Sequence, residues 1–157
     1  MQFFRYSEPD QKATAEVVPP TLRPVLREFS DDDLDNLASF ASQLRYLTGS
    51  RIVSSGERNE TLYIVVSGVV ALSTSSAGDV ERETDRRYEG EVFGISSFLD
   101  GEESTITATA WEATEVLALR RTSFTQLAAW KPMLAIALLQ DLAAYVSRRL
   151  RQCAQVC

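Results

Sequence analysis

The chain contains no histidine and only two cysteines, Cys153 and Cys157, at its C-terminal end. Without histidine it has no Ser-His or Cys-His nucleophile pair and no imidazole metal ligand. Two cysteines cannot complete an ordinary zinc site within one chain, and they are too few for an iron-sulfur cluster. We therefore expect no enzyme activity, no metal site and no cofactor.

Long apolar runs and an excess of positive charge are also missing. The longest apolar stretch, residues 133–139, is far too short to cross a bilayer, and the N-terminus lacks the apolar run of a signal peptide. The net charge is -6 and the pI is near 4.7, whereas proteins that bind the nucleic-acid backbone usually carry a basic face. These absences predict a cytoplasmic protein with no membrane segment and no direct DNA binding.

With 157 residues the chain is long enough for one domain with an ordinary hydrophobic core. Residues 1–29 contain four prolines, which predict an irregular N-terminal arm. The pattern then changes, because Ser30 can cap a helix, three aspartates follow it, and apolar residues recur at helical spacing. We predict an amphipathic helix over residues 31–44. The aspartate run is interpreted as a helix start and not as a metal site, since no ligand loop surrounds it.

Between residues 45 and 119 short β-prone runs alternate with glycine turns, which is typical of a small antiparallel sandwich or barrel. The charged run at residues 81–87 is interpreted as an exposed hairpin, on which Arg86 and Arg87 are solvated. The fold class is predicted as α+β, an eight-stranded antiparallel β jelly-roll barrel with an N-terminal helix and further helices at the C-terminal end. The eight strands are placed at residues 45–47, 51–54, 61–66, 69–75, 80–88, 92–93, 106–110 and 114–119.

After residue 119 the spacing of apolar residues becomes helical again. A short helix is predicted over residues 123–129 and a long one over residues 133–152, followed by a tail at residues 153–157. The long helix has two apolar stripes, whereas a helix lying on one surface needs only one. We predict that one stripe forms a homodimer, with the N-terminal arm folding back over it as the alternative. The residues chosen for the dimer are Leu138, Leu142 and Tyr145; the other stripe consists of Ile136, Leu139, Ala143, Val146 and Leu150.

Residues 90–110 are predicted to form a strand, a short helix and a second strand around a small concavity. Backbone N–H groups at the start of such a helix have no partners within it and favour an anion. Serine and threonine side chains supply further neutral donors, or alternatively they cap the short helix and satisfy the turn backbone. The candidate ligand-binding residues are Phe93, Gly94, Ile95, Ser96, Ser97, Ser104 and Thr105.

Several motifs within residues 30–152 together resemble the cyclic nucleotide-binding domains of the catabolite activator protein and of protein kinase A regulatory subunits. The resemblance implies that residues 90–110 are a phosphate-binding cassette, the name used below, and that the last two helices correspond to the B and C helices of the family. The motifs are Gly49-x-x-Ile52-x-x-x-Gly56-Glu57, Leu62-Tyr63-x-Val65-x-x-Gly68-x-Val70, Gly90-x-Val92-Phe93-Gly94 and Arg148-Arg149-Leu150-Arg151.

The cassette departs from the family at two positions. In the family a glutamate accepts a hydrogen bond from the ribose hydroxyl and an arginine meets the cyclic phosphate; here these positions hold Ile95 and Ser104. Losing both contacts would weaken binding by roughly three to five decades. Glu102 and Glu103 add negative charge beside them.

These departures predict a non-catalytic regulatory or signalling module that does not bind cyclic AMP or cyclic GMP in the usual way and acts through dimerisation or a protein partner. The alternative is a genuine small-molecule sensor that binds a cyclic nucleotide or another ligand through non-standard contacts. A transcription regulator of this family carries a helix-turn-helix after the long helix, and the sequence up to Cys157 leaves no room for one. This too predicts that the chain does not bind DNA directly.

Overall fold

The computed structural model describes residues 25–75 and 80–156, with helices at both ends of a β-rich middle. In chain order its elements are α1 Asp31–Ser39, β1 Ser42–Tyr46, β2 Arg51–Val53, β3 Thr61–Ser67, β4 Val70–Ser75, β5 Glu81–Arg87, β6 Val92–Phe93, α2 Ile95–Asp100, β7 Thr107–Ala110, β8 Thr114–Arg120, α3 Arg121–Trp130 and α4 Pro132–Val156. One four-stranded sheet has the order β1-β8-β3-β6 and the other has the order β2-β7-β4-β5. Every strand pairing recorded within the two sheets is antiparallel, so the predicted jelly roll of eight strands is confirmed, although the two sheets do not close into a complete barrel.

Helix α1 begins where the sequence predicts but ends earlier. The Ser30 side chain accepts from the Asp33 N–H at 3.1 Å and the Asp33 carboxylate accepts from the Ser30 N–H, which is a capping box. The helix ends at Ser39, so the predicted end at Leu44 is wrong. Leu44 instead lies in β1, opposite Val116 of β8. Leu44 continues the helical spacing only by chance, because the pairing of β1 with β8 determines its conformation.

The hydrophobic core has two parts, and the β1-β8-β3-β6 sheet separates them. On β3, Leu62 and Ile64 face the helices, while Tyr63 and Val65 face the second sheet, and all four are 5% exposed or less. The strand therefore reads as one continuous apolar run in the sequence, as expected when both faces of a strand are covered. The core on the helix side contains Ile95 and Phe98 of α2 together with three leucines of α4, and thus connects the cassette with the C-terminal helix.

The turn between β3 and β4 depends on a close backbone approach at Gly68. This glycine has φ +90°, and a Cβ atom there would lie 2.4 Å from the Ala113 carbonyl oxygen. The neighbouring Thr114 hydroxyl donates to the Val69 carbonyl at 3.1 Å, which ties the same turn to the start of β8. No other residue type fits this position without moving the backbone.

Of the predicted N-terminal arm, residues 1–24 lie outside the described part of the chain. Residues 25–28 form a turn in which Val25 and Leu26 are buried in the helix-side core. Leu26 has φ +81°, an unusual value for a residue other than glycine, and its N–H donates to the Asp141 carboxylate of α4 at 2.6 Å. The end of the predicted arm is thus fixed to the long helix.

Helix α4 runs to Val156, beyond the predicted end at residue 152, and of the predicted tail Cys157 lies outside the described residues.

The choice of dimer stripe is wrong. Leu138 and Leu142 are 0% exposed and pack in the helix-side core of this chain, and Tyr145 packs against the same cluster. The helical period identifies two stripes but does not say which of them faces the sheet. Large exposed apolar residues lie instead at Met133, Ile136, Leu139 and Leu150. Within the described residues, no helix combines the length and the hydropathy that crossing a bilayer requires.

Candidate ligand site at the cassette

The cassette has the predicted order of strand, short helix and strand. Strand β6 pairs with β3, and the rings of Phe93 and Tyr63 stack with centroids 4.8 Å apart. At Gly94 the chain turns into α2 with φ +78°, and a Cβ atom there would lie 2.7 Å from the Thr61 carbonyl oxygen. A second glycine with positive φ, Gly101, ends the helix. The backbone at Gly94 is therefore held closely against β3, and only glycine fits.

Helix α2 is fixed by apolar contacts of its own side chains. Ile95 and Phe98 are 7% and 2% exposed and belong to the helix-side core. The Phe98 ring meets Phe124 of α3 edge to face, with centroids 5.5 Å apart. Ser97 is buried as well, whereas Ser96 is exposed. The side chain at the position of the family's ribose-binding glutamate is thus part of the core.

Ser104 uses its polar groups within its own turn. Its hydroxyl donates to the Ile106 carbonyl at 2.8 Å and accepts from the Ile106 N–H at 3.2 Å. Its backbone exchanges hydrogen bonds with the β2–β3 connection, since its N–H donates to Glu57 and its carbonyl accepts from Gly56. Ser104 is buried, while the adjacent Thr105 is exposed. For Ser104 the interpretation that the serines satisfy turn backbone is the one that agrees with the structure.

One of the two arginines predicted to be solvated lies buried beside the cassette. Arg87 is 8% exposed, and its Nε donates to the carbonyl of Val92, two residues before Gly94. Its Nη2 donates to the Tyr145 hydroxyl of α4 at 2.9 Å, and its Nη1 pairs with Asp85. The prediction that Arg87 is solvated is wrong. Strand β5 consists of charged residues and threonine, so no apolar residue marks its inner face and the sequence gives no signal of the burial.

The charges around Arg87 shift the pKa values of two neighbouring carboxyl groups in opposite directions. Burial alone would raise the pKa of Asp85, but the hydrogen bond and charge of Arg87, the Arg86 N–H and the charge of Arg149 outweigh it and lower that pKa. Burial raises the pKa of Glu91, and the nearby Arg87 counteracts only part of this effect. Asp85 is therefore the carboxylate that balances the buried guanidinium.

A second cation lies at the far end of α2. A Cβ atom on Gly101 would come within 2.8 Å of Arg121 Nη1 and 3.1 Å of Glu60 Oε1, so both side chains lie against this turn. Because the Glu60 carboxylate lies beside Arg121, these two charges largely balance each other at the turn that precedes Glu102 and Glu103. Within the part of the chain that the structure describes, no three metal-binding side chains come together.

The chain has two facing antiparallel sheets, a strand–helix–strand cassette that a glycine with positive φ opens, and a long C-terminal helix packed on one sheet. Together these features define a domain of the jelly-roll class. A family model described as the cyclic nucleotide-binding domain matches residues 43–129, more than half of the chain. The chain therefore belongs to the cyclic nucleotide-binding domain family, as the motifs indicate.

Similar proteins and solved structures support this family assignment. The chain is 34% identical over 129 residues to the cyclic AMP receptor protein of Thermus thermophilus, a match that covers 82% of this chain and 58% of that protein. The crystal structure of the Thermus thermophilus catabolite activator protein superposes with a TM-score of 0.76 at 33% identity, over 85% of this chain and 61% of that one. Oxidized CprK in complex with o-chlorophenolacetic acid has the same fold, with a TM-score of 0.65 at 18% identity over 80% of this chain and 52% of that one. The chain thus spans about three fifths of the first two relatives.

Proposed function

We propose that this chain is a non-catalytic, cytoplasmic regulatory module of the cyclic nucleotide-binding family. It does not use the usual ribose and phosphate contacts and acts through dimerisation or a protein partner. The observation that carries this proposal is the state of Ile95 and Ser104, which occupy the two positions where the family places its ligand-binding carboxylate and guanidinium. Neither side chain can supply the missing contact, and both have a structural role instead.

Ile95 supports the proposal through its burial. The Ile95 side chain is 7% exposed and packs in the helix-side core, so it makes apolar contacts that hold α2 in place. Burying an isoleucine side chain stabilises a fold by about 1.5–3 kcal/mol, which favours keeping the position apolar. A ribose hydroxyl placed beside it would find no acceptor, at a cost typical of an unsatisfied polar group.

Ser104 supports the proposal through its hydrogen bonds. Its hydroxyl donates to and accepts from the Ile106 backbone, and its own backbone is paired with Gly56 and Glu57. A phosphate at this place would meet no guanidinium from the cassette loop, and it would approach the carboxylates of Glu102 and Glu103. Together with Ile95, this removes the two charged contacts on which the family's affinity depends.

Titration calorimetry with cyclic AMP and cyclic GMP tests the proposal. We expect dissociation constants no tighter than about millimolar, since the loss of both contacts costs several decades of affinity. A micromolar isotherm for either nucleotide would contradict the proposal. The non-cyclic nucleotide AMP serves as the control for weak, non-specific binding.

The exposed stripe of α4 supports a homodimer. Met133, Ile136, Leu139 and Leu150 are 75%, 46%, 39% and 66% exposed, and they follow one another at helical spacing on the face opposite the core. Two copies of such a helix can bury these residues against each other, because an isologous contact is complementary to itself. Sedimentation equilibrium should show a dimer, and Ile136→Asp should convert it into a folded monomer. A wild-type chain that stays monomeric at high concentration would contradict this part of the proposal.

A small-molecule sensor is the second candidate. It is favoured by the relative named cyclic AMP receptor protein and by the CprK structure, in which a protein of this fold is in complex with o-chlorophenolacetic acid. Here the ligand would be held by contacts other than those of Ile95 and Ser104. A thermal-shift screen of cyclic mononucleotides, cyclic dinucleotides and aromatic acids would separate the candidates, because a ligand that binds the folded state raises the melting temperature.

DNA binding is not part of the proposal for this chain. Its net charge of -6 opposes contact with the phosphates of a duplex. Fluorescence anisotropy with a mixed duplex at low salt is the direct measurement. Binding that weakens steeply with added salt would overturn this point.

A further inference from the structure

We propose that Arg87 is a positioning residue that holds the cassette and helix α4 in a fixed relation without any bound ligand. The contacts of one guanidinium with β5, with the start of the cassette and with α4 carry the inference. Its regulatory meaning rests on the proposed function, in which the module works without the usual nucleotide contacts. The coupling itself is a property of the chain alone.

The geometry of Arg87 suits this role because a guanidinium presents several donors in fixed directions. Nε donates to the Val92 carbonyl at 2.9 Å and Nη2 to the Tyr145 hydroxyl at 2.9 Å, while Nη1 donates to the Arg86 carbonyl at 3.0 Å. The first contact is in β6 and the second in α4, which are far apart in the sequence. A shift of α4 would therefore pull on the strand that leads into Gly94.

Asp85 keeps this arrangement electrically balanced from within the chain. It pairs with Arg87 Nη1 and also lies 3.4 Å from Arg149 Nη2 of α4. A buried guanidinium needs a counter-ion, and a carboxylate two residues away on β5 supplies it in place of a ligand anion. The buried cation is thus paired within the chain itself.

Helix α4 meets this cluster with two side chains on one face. Tyr145 and Arg149 are four residues apart, so they lie on neighbouring turns of the same side of the helix. Tyr145 contacts Arg87 directly, and Arg149 reaches the carboxylate that Arg87 shares. The same helix carries the exposed apolar stripe on its other side, so its position matters for any partner that binds there.

Hydrogen–deuterium exchange of the full chain tests the inference through Tyr145→Phe, which removes one hydroxyl and keeps the ring. The matched control is Ser147→Ala, which removes an exposed hydroxyl from the same helix. We expect the amides of residues 92–100 to exchange roughly tenfold faster in Tyr145→Phe, the effect of losing one hydrogen bond to a charged group, with β3 and β8 unchanged. Exchange that rises in α4 alone, or that matches the control, would overturn the inference.

A second pair of variants guards against a general loss of stability. Arg87→Met should give the same cassette exchange as the double variant Arg87→Met with Tyr145→Phe, because the tyrosine acts through the arginine. Additive effects would overturn the proposal. Exchange is measured without nucleotide and at a concentration where the chain is monomeric. A micromolar cyclic AMP isotherm would therefore refute the proposed function and leave this coupling standing, whereas an unchanged cassette would refute the coupling alone.

Discussion

Two leucines on α4, three residues apart, should respond in opposite ways to the same substitution. Leu142 is 0% exposed in the helix-side core, whereas Leu139 is 39% exposed on the neighbouring stripe. Leu142→Asp loses about 1.5–3 kcal/mol of apolar burial, and burying a carboxyl group adds a further cost of about 2–7 kcal/mol. A domain is stable by only about 5–15 kcal/mol, so this variant should be largely unfolded or melt far below the natural chain.

Leu139→Asp introduces the same charge at an exposed position, so the monomer should lose no more than about 1 kcal/mol of stability. In a dimer the two aspartates would face an apolar surface and each other, and association should be lost. Circular dichroism melts report the folding of each variant, and sedimentation velocity at several concentrations reports association. A folded, monomeric Leu142→Asp would show that the assignment of the two stripes is reversed. A Leu139→Asp variant that sediments as the wild type would remove α4 from the dimer.

Three further predictions concern the cassette and the charges beside it. Asp85→Asn should lower the urea midpoint most at neutral pH and progressively less below about pH 4. In the folded chain the pKa of Asp85 is lowered from the ordinary value of an aspartate, so its stabilisation is present above that ordinary value and is lost as the pH falls through the folded-state pKa. A difference in midpoint that does not depend on pH would contradict this. Gly94→Ala should cost about 1–3 kcal/mol more than Gly90→Ala, since both have positive φ but only the first Cβ would strike the Thr61 carbonyl, and equal melting temperatures would refute the close contact. The double variant Ile95→Glu with Ser104→Arg should have a lower melting temperature than the natural chain without ligand, but millimolar cyclic AMP should raise that temperature more than AMP does. A folded double variant whose melting temperature cyclic AMP does not raise would show that the cassette cannot take a nucleotide.

The strands could be predicted from the sequence because their signals are local. Each short β-prone run marks one strand, including the two-residue β6 before Gly94, and glycines lie in every connection between strands except that between β7 and β8. The end of α1 could not be predicted in the same way. Leu44 continues the helical spacing, and only its pairing with Val116, 72 residues later, shows that it belongs to a strand. Contacts between distant segments decide such cases.

The candidate site was predicted only in part for a similar reason. Ile95 and Ser104 could be located by their distance from the Gly94 turn, and the resemblance to a family gave that distance its meaning. The burial of Arg87 depends on Tyr145, which lies 58 residues further along the chain, and on a strand without apolar residues. Nothing in the spacing of β5 distinguishes an inward arginine from a solvated one.

Strand β3 has apolar residues on both faces, and this changes how its register is kept during folding. In a strand with one face in water, a shift of the pairing register by one residue exposes the apolar side chains and is therefore strongly disfavoured. In β3 such a slip would exchange Leu62 and Ile64 with Tyr63 and Val65 between the two cores, with little new exposure to water. The correct register of β3 must therefore be selected at the end of the strand, where the turn at Gly68 allows no Cβ atom and is hydrogen-bonded to Thr114. A single-residue insertion before Gly68 should therefore trap misfolded chains that are compact, well protected from water and wrongly paired.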